Sequence, residues 1–235
     1  MPNLNSTSIG IEEWIGYWRC LMSEKNESKD SGYGINRVLA LTDGVFAIAA
    51  TLLVIELVVP TLSAGASSAD LWNAISGELH VFLAYLLSFF ILGVWWNAHH
   101  RHYSLIRDTD WTLRWLNLLL LLWIALLPFF TKILAEYGDL QAALALYSLN
   151  QAAAGLFLTL SWIYASRNHR LIDKDVPDKT IRLTLIRSST APILFFVSIG
   201  VSFINPILTY ISWFGLVPIV ILLYRYGHNS EKHYF

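Results

Sequence analysis

Cysteine, charge and a cationic start are what this sequence has least of. A single cysteine, Cys20, leaves no partner for a disulfide and excludes a cysteine-based zinc site. No Lys or Arg occurs among the first eighteen residues, so the cationic end of a secretory signal peptide is missing. Insertion into a membrane is then expected to depend on the first long apolar helix. Charged residues make up only 14% of the chain, against about 25% in an ordinary soluble domain. The formal net charge of -1 gives no electrostatic reason to expect nucleic acid or an acidic substrate as a partner. Neither a low-complexity tract nor an internal repeat of the whole unit is visible.

Apolar and aromatic residues take up the space. The hydrophobic fraction is 55%, with ten Trp, eleven Tyr and twelve Phe. Rings of this kind suit a bilayer, where amphipathic aromatics sit at the water boundary. Six apolar stretches, near 38–59, 73–98, 111–134, 141–165, 181–204 and 207–226, have the roughly 20 residues that a helix needs to cross about 30 Å of hydrocarbon. Pro60 is expected to end the first, and Pro206 to separate the last two. The fold class expected is therefore an all-α membrane protein with six transmembrane helices.

Orientation follows from the basic residues. Fifteen of the sixteen Lys and Arg fall before the first stretch, around the second–third loop, around the fourth–fifth loop, or after the sixth. The exception is Lys132. By the positive-inside rule those four regions face the cytoplasm, which puts both termini inside and requires an even number of spans. Three regions are expected: an N-terminal cytoplasmic segment over 1–36, the six-helix unit over 37–226, and a cytoplasmic tail over 227–235. Within the first, Ile11, Trp14, Ile15, Trp18 and Met22 recur at helical spacing. The segment is expected to be either an amphipathic helix on the inner surface or disordered, with a polar linker from Ser23 to Gly34.

Polar residues inside apolar helices are the candidates for function. The first helix opens with Arg37 and reaches Asp43 six positions later. At about 100° per residue the two stand roughly 240° apart, so each must find its partner elsewhere. Arg37 can reach the headgroups, but a carboxylate a turn and a half inside faces a bundle interior or a water-filled path. The second helix ends Trp95-Trp96-Asn97-Ala98-His99-His100-Arg101-His102, at the same membrane face. His99 or His100 is expected to bond Asp43. A histidine-bound metal is the alternative, although the other histidines are scattered. Asn117 in the third helix can bond across helices, as can Ser148, Asn150, Gln151 and Ser161 in the fourth.

Farther along the first helix, Ile48, Leu52 and Ile55 form one stripe with Thr51 beside it. Such a stripe ordinarily faces lipid or packed core. Its company points elsewhere: the ion-handling start, the small residues Gly44, Ala47, Ala49 and Ala50, which permit close approach, and Glu56 at the far end. An acidic mouth raises the local cation concentration. These residues leave open a channel, a secondary ion transporter (possibly proton-coupled) and a metal-dependent membrane enzyme. Against the transporter stands the absence of an inverted repeat and of a paired set of broken helices.

These residues also carry a resemblance. Arg37, Leu41, Thr42 and Asp43, followed by the run from Val45 to Glu56, resemble the Arg-x-x-x-Phe-Ser-Asp opening of the first helix in bacterial relatives of transmembrane protein 175, an endosomal and lysosomal potassium channel. The likeness extends to Trp95, His99 and His100, to Asn117, and to Leu127-Pro128-Phe129-Phe130-Thr131. It covers roughly 37–226. Thr42 keeps the hydroxyl of the family serine, whereas Leu41 lacks the aromatic ring. The resemblance implies a homotetrameric potassium-preferring channel of the cell membrane, with a pore lined by the first helices. Ile48 would form the main constriction, with Leu52 and Ile55 as further rings, Thr51 and Glu56 beside them, and Arg37, Thr42, Asp43, Trp95, His99, His100 and Asn117 as a supporting polar network. Potassium ions, the lipid bilayer and further copies of the chain are the implied partners. No cofactor, metal or chemical step is implied.

Overall fold

A computed structural model describes residues 31–215. They form α1 (Ser31–Ile55), α2 (Ser68–Gly77), α3 (Leu79–Leu105), α4 (Trp111–Tyr137), α5 (Gln141–Ser166), a 3-10 turn (Arg167–His169) and α6 (Asp178–Ser202). A further helical segment, 206–215, reaches the edge of the described residues. Five helices are long and apolar enough to cross a membrane: those containing Gly34–Ile55, Leu79–Leu105, Trp111–Tyr137, Gln141–His169 and Asp178–Ser202. The expected sixth span lies largely outside the described residues, as do the amphipathic pattern over 11–22 and the C-terminal tail.

The expected bounds of three helices move. The first helix was expected over 38–59, but α1 begins at Ser31 and closes at Ile55. It takes in the end of the segment read as linker and stops short of Pro60. Val58 and Val59 are β-branched and Val59 precedes proline, which disfavours helical backbone there. The second stretch, expected as one helix over 73–98, divides at Glu78 into α2 and α3. Ser67 starts α2 with a reciprocal capping box: its hydroxyl accepts from Asp70 N, and the Asp70 carboxylate accepts from Ser67 N at 2.8 Å. Helix α3 then runs on to Leu105, carrying all three of His99, His100 and His102 within it. Helix α4 likewise runs three residues past its expected end, to Tyr137, with Lys132 in its last turns.

Helix α5 is the scaffold, packing extensively against both α4 and α6, while α1 packs on α4 and α3. Buried residues of α1 recur as Ile35, Val38, Thr42, Phe46, Ala49 and Leu53, a spacing of three and four that puts them on a single face. Lipid tails are as apolar as the side chains, so close packing rather than water exclusion holds such helices together. Gly155 shows the tightness required. A Cβ there would stand 2.6 Å from Trp95 Cη2 on α3 and 2.8 Å from Pro192 Cβ on α6. The 206–215 segment closes the other side, with buried Trp213 at 5.0 Å from the Tyr147 ring centroid.

The loops at one end of the bundle are tied together. Ile106 and Ile172 form an isolated antiparallel bridge, and Arg107 Nε meets Asp173 Oδ2 at 2.8 Å. Tyr164 donates its hydroxyl to Asp110, the N-cap of α4, whose other oxygen accepts from Leu113 N at 2.8 Å. Both partners of the Arg107–Asp173 pair are exposed, so it adds little stability by itself.

Gly155→Val is expected to lower the thermal midpoint of the purified protein in detergent by the equivalent of about 1–3 kcal/mol of overpacking. Gly200→Ala, where nothing lies within 4 Å of the added carbon, is expected to leave the midpoint unchanged or raised.

Candidate functional site: a pinned helix with an exposed stripe

The α1 helix is fastened to its neighbours at two adjacent residues, one buried and one on its flank. Thr42 is fully buried, and its hydroxyl oxygen accepts from Asn117 Nδ2 on α4 at 3.0 Å. The other end of the same amide, Asn117 Oδ1, lies 2.9 Å from His99 Nε2 on α3. An amide oxygen only accepts, so the imidazole proton sits on Nε2. His99 is itself buried and stacks on Tyr103 with ring centroids 4.0 Å apart. One asparagine thus joins three helices. Asp43, the next residue of α1, accepts from Trp96 Nε1 at 2.9 Å.

This corrects the expected partner of Asp43. Neither His99 nor His100 bonds it: His99 is committed to Asn117, and His100 is exposed and stacks on Trp96 at 5.8 Å. Helical rotation is the reason. His99 and Trp96 stand about 60° apart around the helix axis, so with His99 directed at α4 the adjoining Trp96 reaches α1 instead. An indole N–H gives no signal in sequence that separates it from a membrane-boundary ring, so Trp96 was passed over. Trp95, on the buried side, instead donates to Gln151 Oε1 on α5 at 2.8 Å. Asn150 likewise reaches across helices, donating to Trp123 O at 2.9 Å, whereas Ser161 bonds back to Phe157 O in its own helix. Arg37 is exposed near the start of α1.

The opposite face of α1 is bare. Leu41 is 51% exposed, Ile48 60%, Leu52 41% and Ile55 70%. Thr51 is exposed on the same side, but its hydroxyl donates to Ile48 O at 2.8 Å and is thereby turned back on its own helix. Its surface is therefore a run of branched hydrocarbon with little oxygen to offer an ion. At the far end, Glu56 does not stand as a free acid. Lys132 Nζ on α4 lies 3.0 Å from Glu56 Oε2, which neutralises the charge expected to enrich cations there.

A groove of about 370 Å³ runs beside the stripe, between α1 and α3. Asp43, Phe46, Ala47 and Ala50 form one wall, and Phe89, Leu92, Gly93 and Trp96 the other. Among the described residues, no three His, Cys, Asp or Glu side chains come together as a ligand set.

Replacing Asn117 by Leu leaves a threonine hydroxyl and an imidazole buried without partners. The expected loss is about 1–3 kcal/mol of stability, measured by thermal or denaturant unfolding in detergent. Combining it with Thr42→Val should cost less than the sum of the two, because they remove the same bond.

Known proteins carry the same architecture. A family model described as the endosomal/lysosomal potassium channel TMEM175 matches residues 37–128. A potassium channel of Streptomyces collinus is 34% identical over 198 residues, covering 83% of this chain and 92% of that protein. A second potassium channel, from Chamaesiphon minutus, is 33% identical over 199 residues, covering 78% of this chain and 90% of its own. The human endosomal/lysosomal proton channel TMEM175 is 26% identical over 152 residues, only 30% of its length. Among solved structures, a lysosomal potassium-selective channel TMEM175 homologue from Chamaesiphon minutus superposes with a TM-score of 0.70 at 30% identity, over 81% of this chain and 97% of that one. The buried polar junction and the membrane-spanning bundle are thus set in a chain that belongs to the TMEM175 channel family.

Proposed function

We propose that this protein is one subunit of a homotetrameric, potassium-preferring cation channel whose central pore is lined by α1. The observation that carries the reading is the asymmetry of that helix. Its rear face is pinned by Thr42 and packed on α3 and α4, its flank is held by Asp43, and Leu41, Ile48, Leu52 and Ile55 face away from the chain. A span held so firmly from behind presents its bare stripe in a fixed direction. The small residues Ala47, Ala50 and Gly93 beside the stripe allow a neighbouring copy to approach closely. Channel relatives of similar length support the same reading.

In this pore Ile48 forms the narrowest ring, with Leu52 and Ile55 toward the Glu56 end. Such rings cannot replace an ion's water with oxygen ligands. They gate by dewetting and select by how readily a hydrated ion sheds or reshapes its shell. Potassium holds its water less tightly than sodium, so conduction favours potassium. No nucleophile, cofactor or chemical step is used. The six-helix unit spans 37–226, with both termini on the cytoplasmic side of the cell membrane.

The test is the reversal potential of the purified protein in planar bilayers with potassium on one side and sodium on the other. A passive current reversing on the potassium-selective side is expected, and a saturating flux coupled to a proton gradient would replace the channel with a transporter. Because the human relative is named a proton channel, the same bilayers are also examined across a pH gradient. Ile48→Asn should shift reversal toward zero by wetting the constriction; an unchanged value would move the filter to Leu52. Breaking the ion pair separates the role of Glu56. Lys132→Gln frees an acid at the mouth and should raise potassium conductance at low ionic strength, fading as salt approaches about 1 M, where the screening length falls to about 3 Å. Removing the paired acid with Glu56→Gln takes away the nearest negative charge on Lys132 and should lower it.

A further inference from the structure

Helix α2 contains no buried residue. At about 100° per residue, Leu71, Trp72 and Ile75 fall within roughly 100° of arc, and Asp70 and Asn73 lie on the other side. The three large residues are 41%, 69% and 45% exposed, so within the described residues nothing covers the apolar face. Fully burying each is worth about 1.5–3 kcal/mol, and leaving three together in water forfeits that.

Connectivity says where this face lies. Helix α2 stands between the Glu56 end of α1 and the start of α3, both of which span the membrane. It is therefore held at that membrane boundary. Past the bend at Glu78, the wall of α3 presents Leu79, Phe82 and Leu83, exposed by 55%, 45% and 55%. The apolar face of α2 thus adjoins a surface that meets hydrocarbon. A tryptophan is the ring best suited to the headgroup level. The charge balance identifies the kind of lipid surface. No Lys or Arg occurs between Arg37 and Arg101, while Asp70 and Glu78 flank the face, so anionic headgroups give no attraction and apolar area must carry the binding. The capping box at Ser67 and Asp70 satisfies N–H groups at the start of α2 within the chain, which such a boundary favours.

We propose that α2 lies in the plane of the membrane boundary at the Glu56 end, with Leu71, Trp72 and Ile75 seated in the headgroup–acyl region of a neutral bilayer, anchoring the end of α1. The test uses the full-length chain with Cys20→Ser, in nanodiscs of zwitterionic phosphatidylcholine. Single nitroxide labels are placed through Trp72→Cys, Ile75→Cys and, on the polar side, Asn73→Cys. Collisions with oxygen are expected to be several-fold more frequent at 72 and 75 than at 73, with the reverse order for a water-soluble nickel complex. High nickel access at all three positions would put α2 in water and overturn the proposal. Shielding of 72 and 75 from both reagents would overturn it in favour of protein contact with a second copy. A pattern that forms only when phosphatidylglycerol is added would refute docking by apolar area. Since labelling removes the indole, brominated phosphatidylcholine reads the native ring. The fraction of tryptophan emission quenched should fall in Trp72→Phe relative to the unlabelled protein, and no fall would place Trp72 away from lipid.

Discussion

The amide of Asn117 is the point on which the arrangement turns. In hydrocarbon there is no water to satisfy a polar group, so each buried donor and acceptor must find a partner in the protein. Asn117 uses both ends, giving its N–H to Thr42 and taking one from His99. Three helices meet at one side chain, and their rotation about their own axes is fixed there. With Asp43 held by Trp96 on the adjoining turn, α1 is pinned at one level by two independent bonds.

That pinning permits the opposite face to remain bare. A helix free to roll would bury Ile48, Leu52 and Ile55 against its own bundle. Here the rear stripe of Ile35, Val38, Phe46, Ala49 and Leu53 is already occupied, and the Lys132–Glu56 pair ties the far end of α1 to α4. The two ends are fastened by different physics. The buried Thr42–Asn117–His99 hydrogen bonds, which salt barely screens, hold the inner level. A partly exposed ion pair, sensitive to ionic strength, holds the other. Behind them, α5 supplies a rigid wall, with Gly155 letting Trp95 and Pro192 approach its backbone.

The sequence and the structure agree unevenly, and the reasons are local. Helices α4 and α5 lie close to where their apolar runs put them, because long uninterrupted hydrocarbon has few other solutions in a bilayer. Asp43, His99 and Asn117 stood out as polar groups where polarity is costly, while Thr42 entered only through the resemblance. Which of them touch could not be read off. The partner of Asp43 is an indole, and indoles are abundant in this composition without being informative. The split at Glu78 was equally hidden. Its advance sign is Gly77 followed by the charged Glu78, and that pair is outweighed by the apolar run around it.

By itself, then, the sequence determined that the chain lives in a membrane as a bundle of long helices, and which polar residues had to be satisfied inside it. Hydropathy and length decide these matters because insertion depends chiefly on the summed transfer cost of the side chains along one segment. Only the tertiary structure decided that Asp43 pairs with Trp96, that Glu56 is neutralised by Lys132, and that one face of α1 is spent while the other is free. Each is a relation between helices distant in sequence. It is set by the relative rotation of packed cylinders, which no periodicity within a single helix encodes.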